Sequence, residues 1–121
     1  MEDIILTIKG EPASKANQRR SVINNGRMMF IKSKKALDYS KSFLKQCPTL
    51  DDLLEHDLCV EMKIFYASRR PDLDESLILD LLQGRIYKND RQVKQKIITW
   101  GLDKENPRTY IKITNIKDHD I

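Results

Sequence analysis

A chain of 121 residues, 40% hydrophobic and 33% charged, is long enough to bury one core and too short for two ordinary domains, so a single domain over 1–121 is expected. The balance excludes wholesale disorder, and no apolar run approaches the roughly 20 residues that a membrane span needs. The net charge of +4 is unevenly spread: residues 1–50 carry ten Lys and Arg against four Asp and Glu, and residues 51–121 carry twelve against fourteen. A basic first half fits a polyanionic partner, because clustered cations displace counterions from phosphates. A merely solvated surface is the plainer alternative. The opening MEDIILTIKGEP lacks a basic stretch followed by an apolar one and a cleavage site, so a cytoplasmic protein without membrane contact is expected.

Two cysteines, Cys47 and Cys59, are too few for a disulfide framework and form no C-x-x-C pair; both are expected as small buried hydrophobes. With only His56 and His119, histidine-rich metal and general-base sites are nearly excluded. Chemistry must rest on carboxylates, lysines or hydroxyls. No Walker loop, G-x-S-x-G or Cys/His pairing supports P-loop hydrolysis or acyl transfer.

In chain order, Ile4, Leu6 and Ile8 alternate in a strand over 3–9 that stops at Gly10 and Pro12. The polar, basic GEPASKANQRR leads into SVINNGRMMFI, two short extended pieces around the turn signal Asn24-Asn25-Gly26. Lys15, Arg19, Arg20 and Arg27 gather near that hairpin. Ser33 can cap a helix whose Ala36, Tyr39, Phe43 and Cys47 recur at three- and four-residue spacing, with Lys34, Lys41 and Lys45 on its other face. A loop follows, with a helical turn at Asp52 to His56 as one reading. LCVEMKIFYA is the clearest strand, with Leu58, Val60, Met62, Ile64 and Tyr66 on one side. DESLILDLLQG predicts a short helix capped by Asp74, with Leu77, Ile78, Leu81 and Leu82 as its apolar face and Gly84 as its stop. RQVKQKIITWGL and RTYIKITNI read as two final strands joined through Asn106-Pro107. The order ββ, α, β, α, ββ predicts a small α+β fold, a mixed or mostly antiparallel sheet packed by two main helices.

Asp72 and Asp74 lie two residues apart where the chain leaves a strand and enters a helix. In extended backbone, residues i and i+2 point the same way, so both carboxylates can face one point. Glu75 follows at the helix start. Asp90 precedes the next strand, which lies close to the first if the helix makes a simple crossover. Such oxygens, flanked by Arg69, Arg70, Lys88 and Arg91, suit Mg²⁺, which takes one or two carboxylates plus water and substrate phosphate. That pattern points to a metal-dependent nuclease acting on a phosphodiester backbone. The same residues have plainer readings: Asp74 as a helix cap, Asp72 as a turn residue after Pro71, Asp90 as part of an Asn-Asp turn. Trp100 and Tyr110 could stack on bases, though strand aromatics are more commonly core residues.

The run RRPDLDESLILDLLQGRIYKNDRQV resembles the centre of the RusA family of Holliday-junction resolvases, crossover-junction endodeoxyribonucleases common in phages and prophages. GEPASKANQRR is similar to that family's amino-terminal stretch, so the likeness spans nearly the whole chain. The resemblance implies a RusA-like endonuclease domain over 1–121, working as an intertwined homodimer in the cytoplasm of a bacterial or phage-infected cell. It implies a dimer that binds four-way DNA junctions and nicks opposed strands with Mg²⁺ or Mn²⁺ in recombination and repair. It carries the catalytic, metal-holding roles onto Asp72, Asp74 and Asp90, with Glu75 and Lys88 as possible additions. The candidate DNA-binding residues are Lys15, Arg19, Arg20, Arg27, Arg69 and Arg70. Departures are specific: Glu75 stands where the family usually has Asn, Asn89 replaces the first acid of an acidic pair, and SLILDLLQ lacks the family's lysine. Lys88 and Lys15 are the candidates to stand in for it. A non-catalytic branched-DNA-binding protein retaining the fold is the alternative.

Overall fold

The computed structural model describes residues 3–116, so His119 lies outside the described residues. Alternation of apolar residues sets the frame. Strands β1 (Ile4–Lys9), β4 (Leu58–Tyr66), β5 (Val93–Leu102) and β6 (Arg108–Asn115) form one sheet in the order β1-β6-β4-β5. β6 runs antiparallel to both β1 and β4, while β4 and β5 are parallel, as a strand–helix–strand crossover requires. The sheet is therefore mixed and the class α+β. Leu58, Val60, Met62, Ile64 and Tyr66 all point into the core from β4.

Helices cover that face. α2 (Lys34–Gln46) starts at Ser33, whose hydroxyl accepts from the Ala36 N–H at 3.1 Å, and ends before Pro48. Its Ala36, Tyr39 and Phe43 are buried, and so is Cys47 just beyond it. Gln46 fastens the helix end to β1, accepting from the Lys9 N–H at 2.7 Å and donating to the Lys9 carbonyl at 3.0 Å. α3 (Ser76–Leu82) buries Leu77, Ile78 and Leu82 in the same cluster as Ile8, Ile111 and Ile113.

Between β1 and α2 the chain forms a four-residue helix, α1 (Lys15–Gln18), and a separate hairpin of β2 (Arg19–Asn24) and β3 (Arg27–Lys32). Its two-residue turn has positive φ at both positions, 52° at Asn25 and 77° at Gly26, the I′ form that matches strand twist and favours Asn-Gly.

Several expectations change. Residues 52–56 make no helical turn; Leu54 instead bridges Tyr87, its N–H donating to the Ile86 carbonyl at 2.9 Å. Cys59 is only half-buried because it projects to the sheet face away from the helices. Ile5, Ile97 and Tyr110 remain exposed on that face. α3 begins one residue later than a cap at Asp74 implies, with Glu75 at the cap position.

Candidate active site

The acidic loop follows the carboxyl end of β4, and packing residues hold its backbone. The Tyr66 ring is buried and stacks on Trp100, with centroids 6.1 Å apart and planes at 23°. Its hydroxyl oxygen accepts from the Asp74 N–H at 3.2 Å, and the Trp100 indole N–H donates to the Pro71 carbonyl at 3.4 Å. One side of the loop is thus tied to two strands. Asp74 Oδ1 then accepts from the Ser76 N–H at 2.9 Å, so the carboxylate steadies the entry to α3 without occupying the formal cap position. The Ser76 hydroxyl accepts from Gln18 Nε2 at 3.0 Å, which fastens α1 to the same corner.

Charge is concentrated around this corner. Glu11 accepts from the Ala67 N–H at 3.0 Å and pairs with Lys35 at 3.0 Å. Glu75 pairs with Lys96 of β5 at 3.5 Å. Burial raises the Tyr66 phenol above its ordinary value; the Asp74 N–H works against that shift, while the carboxylates of Asp74, Glu11 and Glu75 add to it. Tyr66 is consequently a neutral phenol at any working pH, an anchor and not a base. Asp72 is exposed, with exposed Arg69 and Arg70 immediately before Pro71.

Asp90 lies elsewhere. Its N–H donates to Gln83 Oε1 at 2.9 Å, beyond the far end of α3. The seven residues of α3 make it about 10 Å long at 1.5 Å per residue. The strand register agrees: β5 starts at Val93 opposite Leu58, the first residue of β4, whereas Asp72 comes after its last. Among the described residues, no three His, Cys, Asp or Glu side chains are gathered to hold a metal. The expected convergence of Asp72, Asp74 and Asp90 is thus corrected for a single chain. A parallel crossover starts both strands at one end of the sheet, so a residue preceding β5 lies away from one following β4.

Asn89 and Lys88 share the Asp90 end. Asn89 Oδ1 accepts from the Arg91 N–H at 2.9 Å while Gln92 Oε1 accepts from the Asn89 N–H at 2.9 Å, a reciprocal cap of the short 3-10 turn Asp90–Gln92. Lys88 pairs with Glu55, not with the acidic loop. Gln92 also donates to the Leu54 and His56 carbonyls at 2.8 and 2.9 Å, locking this turn to the segment before β4.

Arg19 and Arg20 lie on β2 and Arg27 on β3, all exposed, and Lys34, Lys41 and Lys45 are exposed along α2. Lys15 opens α1, but its side chain lies outside the described residues. The sequence missed Glu11, Gln18, Tyr66, Trp100 and Lys96 as parts of the site. The first two lie in the polar GEPASKANQ stretch; the others carry only strand periodicity, which gives no hint of the loop they hold.

As donors, Asp72 and Asp74 fit Mg²⁺, which takes one or two carboxylates and completes its shell with water and phosphate. Asp90 does not join them within one chain. The described residues include no helix long and apolar enough to cross a membrane.

No curated protein matches the chain. The family described as endodeoxyribonuclease RusA matches residues 9–114, which takes in β2, β3, the acidic loop and the Asp90 turn. The family's activity is Holliday-junction-resolving endonuclease action on branched DNA. By a match over most of its length, the chain belongs to the RusA endodeoxyribonuclease family.

Proposed function

We propose that this protein is a Mg²⁺-dependent endodeoxyribonuclease, with Mn²⁺ as a substitute, that nicks four-way DNA junctions as a homodimer during phage or prophage recombination and repair. The observation that carries this reading is the Asp72–Asp74 loop, held by Tyr66, Trp100 and Ser76 and preceded by Arg69 and Arg70. Asp72 and Asp74 would hold the metal, which when bound supplies charge stabilisation at the phosphate and lowers the pKa of water. Arg69 and Arg70 bind the backbone on either side of the cut. Tyr66 and Ser76 keep the carboxylates from drifting, since misplacement by about 1 Å costs on the order of 100-fold in rate. Water adds to phosphorus, the P–O3′ bond breaks, and 5′-phosphate and 3′-hydroxyl ends remain.

Resolution needs two nicks related by symmetry, and one acidic loop per chain supplies one. A two-fold pair supplies both. Asp90 then takes part in the Asp72–Asp74 site only by arriving from a second subunit. The test is cleavage of a four-way junction against linear duplex, with Mg²⁺ and with chelator. Metal-dependent cutting of the junction alone is expected, from a particle of twice the chain mass. Mixing inactive Asp72→Asn and Asp90→Asn subunits should restore nicking, because one site of the mixed dimer keeps both acids; no restoration would place Asp90 outside the site.

The absence of a gathered triad among the described residues and of a lysine on α3 favours one other reading, a branched-DNA-binding protein without activity. Tight junction binding with no cutting in either Mg²⁺ or Mn²⁺ would establish it.

A further inference from the structure

The β2–β3 hairpin stands apart from the main sheet, sharing no strand with it. Cross-strand partners on one face are Arg19 with Lys32, Ser21 with Phe30, and Ile23 with Met28, since directly opposed residues and i, i+2 neighbours share a face. Ile23 is 79% exposed, Met28 70% and Phe30 68%. Three large apolar side chains on a two-stranded ribbon are a costly surface to leave in water, and an isolated hairpin is marginal by itself. Residues 19–32 also hold four cations, Arg19, Arg20, Arg27 and Lys32, and no acid.

That charge selects the occupant. The open sheet face of a second copy carries Lys9, Lys63, Arg108 and Lys112 against Glu61 and two acids already paired there, Asp3 with Lys112 and Asp103 with Arg108. A basic hairpin would thus meet a surface with no free acidic partner but Glu61 and with Lys9 and Lys63 to repel it. DNA supplies phosphates for the cations and, only where helices end or branch, unstacked base faces for the apolar residues. Apolar wedges that enter base steps are made of these residue types. We propose that the hairpin reads the branch point: Arg19, Arg27 and Lys32 track phosphates while Ile23, Met28 and Phe30 press on bases exposed at the centre of branched DNA. The inference rests on the proposed function and locates its structure selectivity away from the acidic loop. A linear duplex offers the phosphates but hides the base faces, so the apolar residues act on the branched substrate alone.

The test uses the full chain without divalent metal, a four-way junction carrying 2-aminopurine beside the branch point, and a linear duplex of the same sequence. Wild type should bind the junction more tightly and brighten the probe as its base unstacks. Phe30→Ala should weaken junction binding by roughly 5- to 150-fold, the range for losing a base-stacking aromatic, with duplex binding little changed; Phe30→Trp should retain both. Arg27→Gln should weaken both DNAs and reduce the salt slope by about one. An unchanged junction-to-duplex ratio in both Phe30→Ala and the Ile23→Ser, Met28→Ser double variant overturns the inference while junction cutting by wild type upholds the function. A lost ratio that comes with halved particle mass also overturns it, making the hairpin a contact between subunits. Wild type that does not prefer the junction defeats the inference and the functional reading together.

Discussion

Replacing Tyr66 with Phe removes one oxygen from the molecule and tests whether packing positions the acidic loop. The ring remains, so its burial and its stacking on Trp100 are retained. What is lost is the acceptor for the Asp74 N–H at 3.2 Å. A net hydrogen bond contributes about 0.5–1.5 kcal/mol, and a fully buried orphan donor would cost about 1–3 kcal/mol. The bond is long and Asp74 only half-buried, so water can reach the freed amide, and about 1 kcal/mol is the expected loss. For a chain of this length that lowers the melting midpoint by about 3–6 °C.

The functional effect should be larger than the stability effect. Two tethers stay, the Ser76 N–H on Asp74 Oδ1 and the Trp100 indole on Pro71, so the loop shifts and does not unfold. Single-turnover junction cleavage should fall about 10- to 100-fold, as a displacement approaching 1 Å predicts, while junction binding in chelator stays unchanged. Urea denaturation and quenched-flow cleavage measure the two effects separately. A variant with the wild-type cleavage rate and midpoint would refute the claim that this bond positions the carboxylates.

Three further outcomes follow from named contacts. Asp74→Asn keeps a side-chain oxygen for the Ser76 N–H and should abolish cutting at nearly wild-type stability, whereas Asp74→Ala should lose cutting and about 0.5–2 kcal/mol of stability; equal melting of the two variants would deny Asp74 its structural part. Gly101→Ala places a Cβ 2.8 Å from Phe65 Cδ1 and pushes the ring from beneath Arg108, 4.0 Å from its centroid, so a loss of about 1–2 kcal/mol is expected by denaturation, and an unchanged midpoint would show that the ring swings aside freely. Hydrogen bonding by the Arg108 side chain, and then by the Asn106 N–H, holds the Asp103 carboxyl below its ordinary 3.8. A depressed folded pKa stabilises above the unfolded value and is lost as pH falls through the folded one, so the β5–β6 loop should loosen only below about pH 3.8; an Asp103 titration midpoint at or above that value by NMR would contradict the pairing.

Local patterns were legible because local physics decides them. β4 alternates without a break, the Asn25-Gly26 turn demands positive φ, and α2 repeats its apolar residues at helical spacing until Pro48. Asp72 and Asp74 fall in one loop because two residues of chain cannot carry them apart. Long-range placement was not legible. Whether 52–56 coils depends on pairings with residues distant in sequence, such as Leu54 with Tyr87. Asp90 shows the limit most clearly: adjacency of β4 and β5 was foreseeable, but the parallel register that sends Asp90 to the opposite end has to be followed along both strands.

The departures from the family pattern also take on physical meaning in the structure. Asn89, at the position of a family acid, caps a turn that Gln92 closes from the other side, a task for which a neutral amide oxygen suffices. Glu75 adds a negative charge at the entry to α3, and Lys96 from β5 meets it at 3.5 Å. That pair is partly exposed and therefore weak in stability terms, about 0–1 kcal/mol. Its value is electrostatic: a cation stands beside the acidic loop although α3 carries none. Lys96 reaches Glu75 from the neighbouring parallel strand, which the β4–α3–β5 crossover brings alongside. Lys88, adjacent in sequence to the Asn89–Asp90 motif, is held by Glu55 at the other end of α3. Closeness in sequence and closeness to the loop are thus exchanged between the two lysines, and the register of β5 on β4 is what exchanges them.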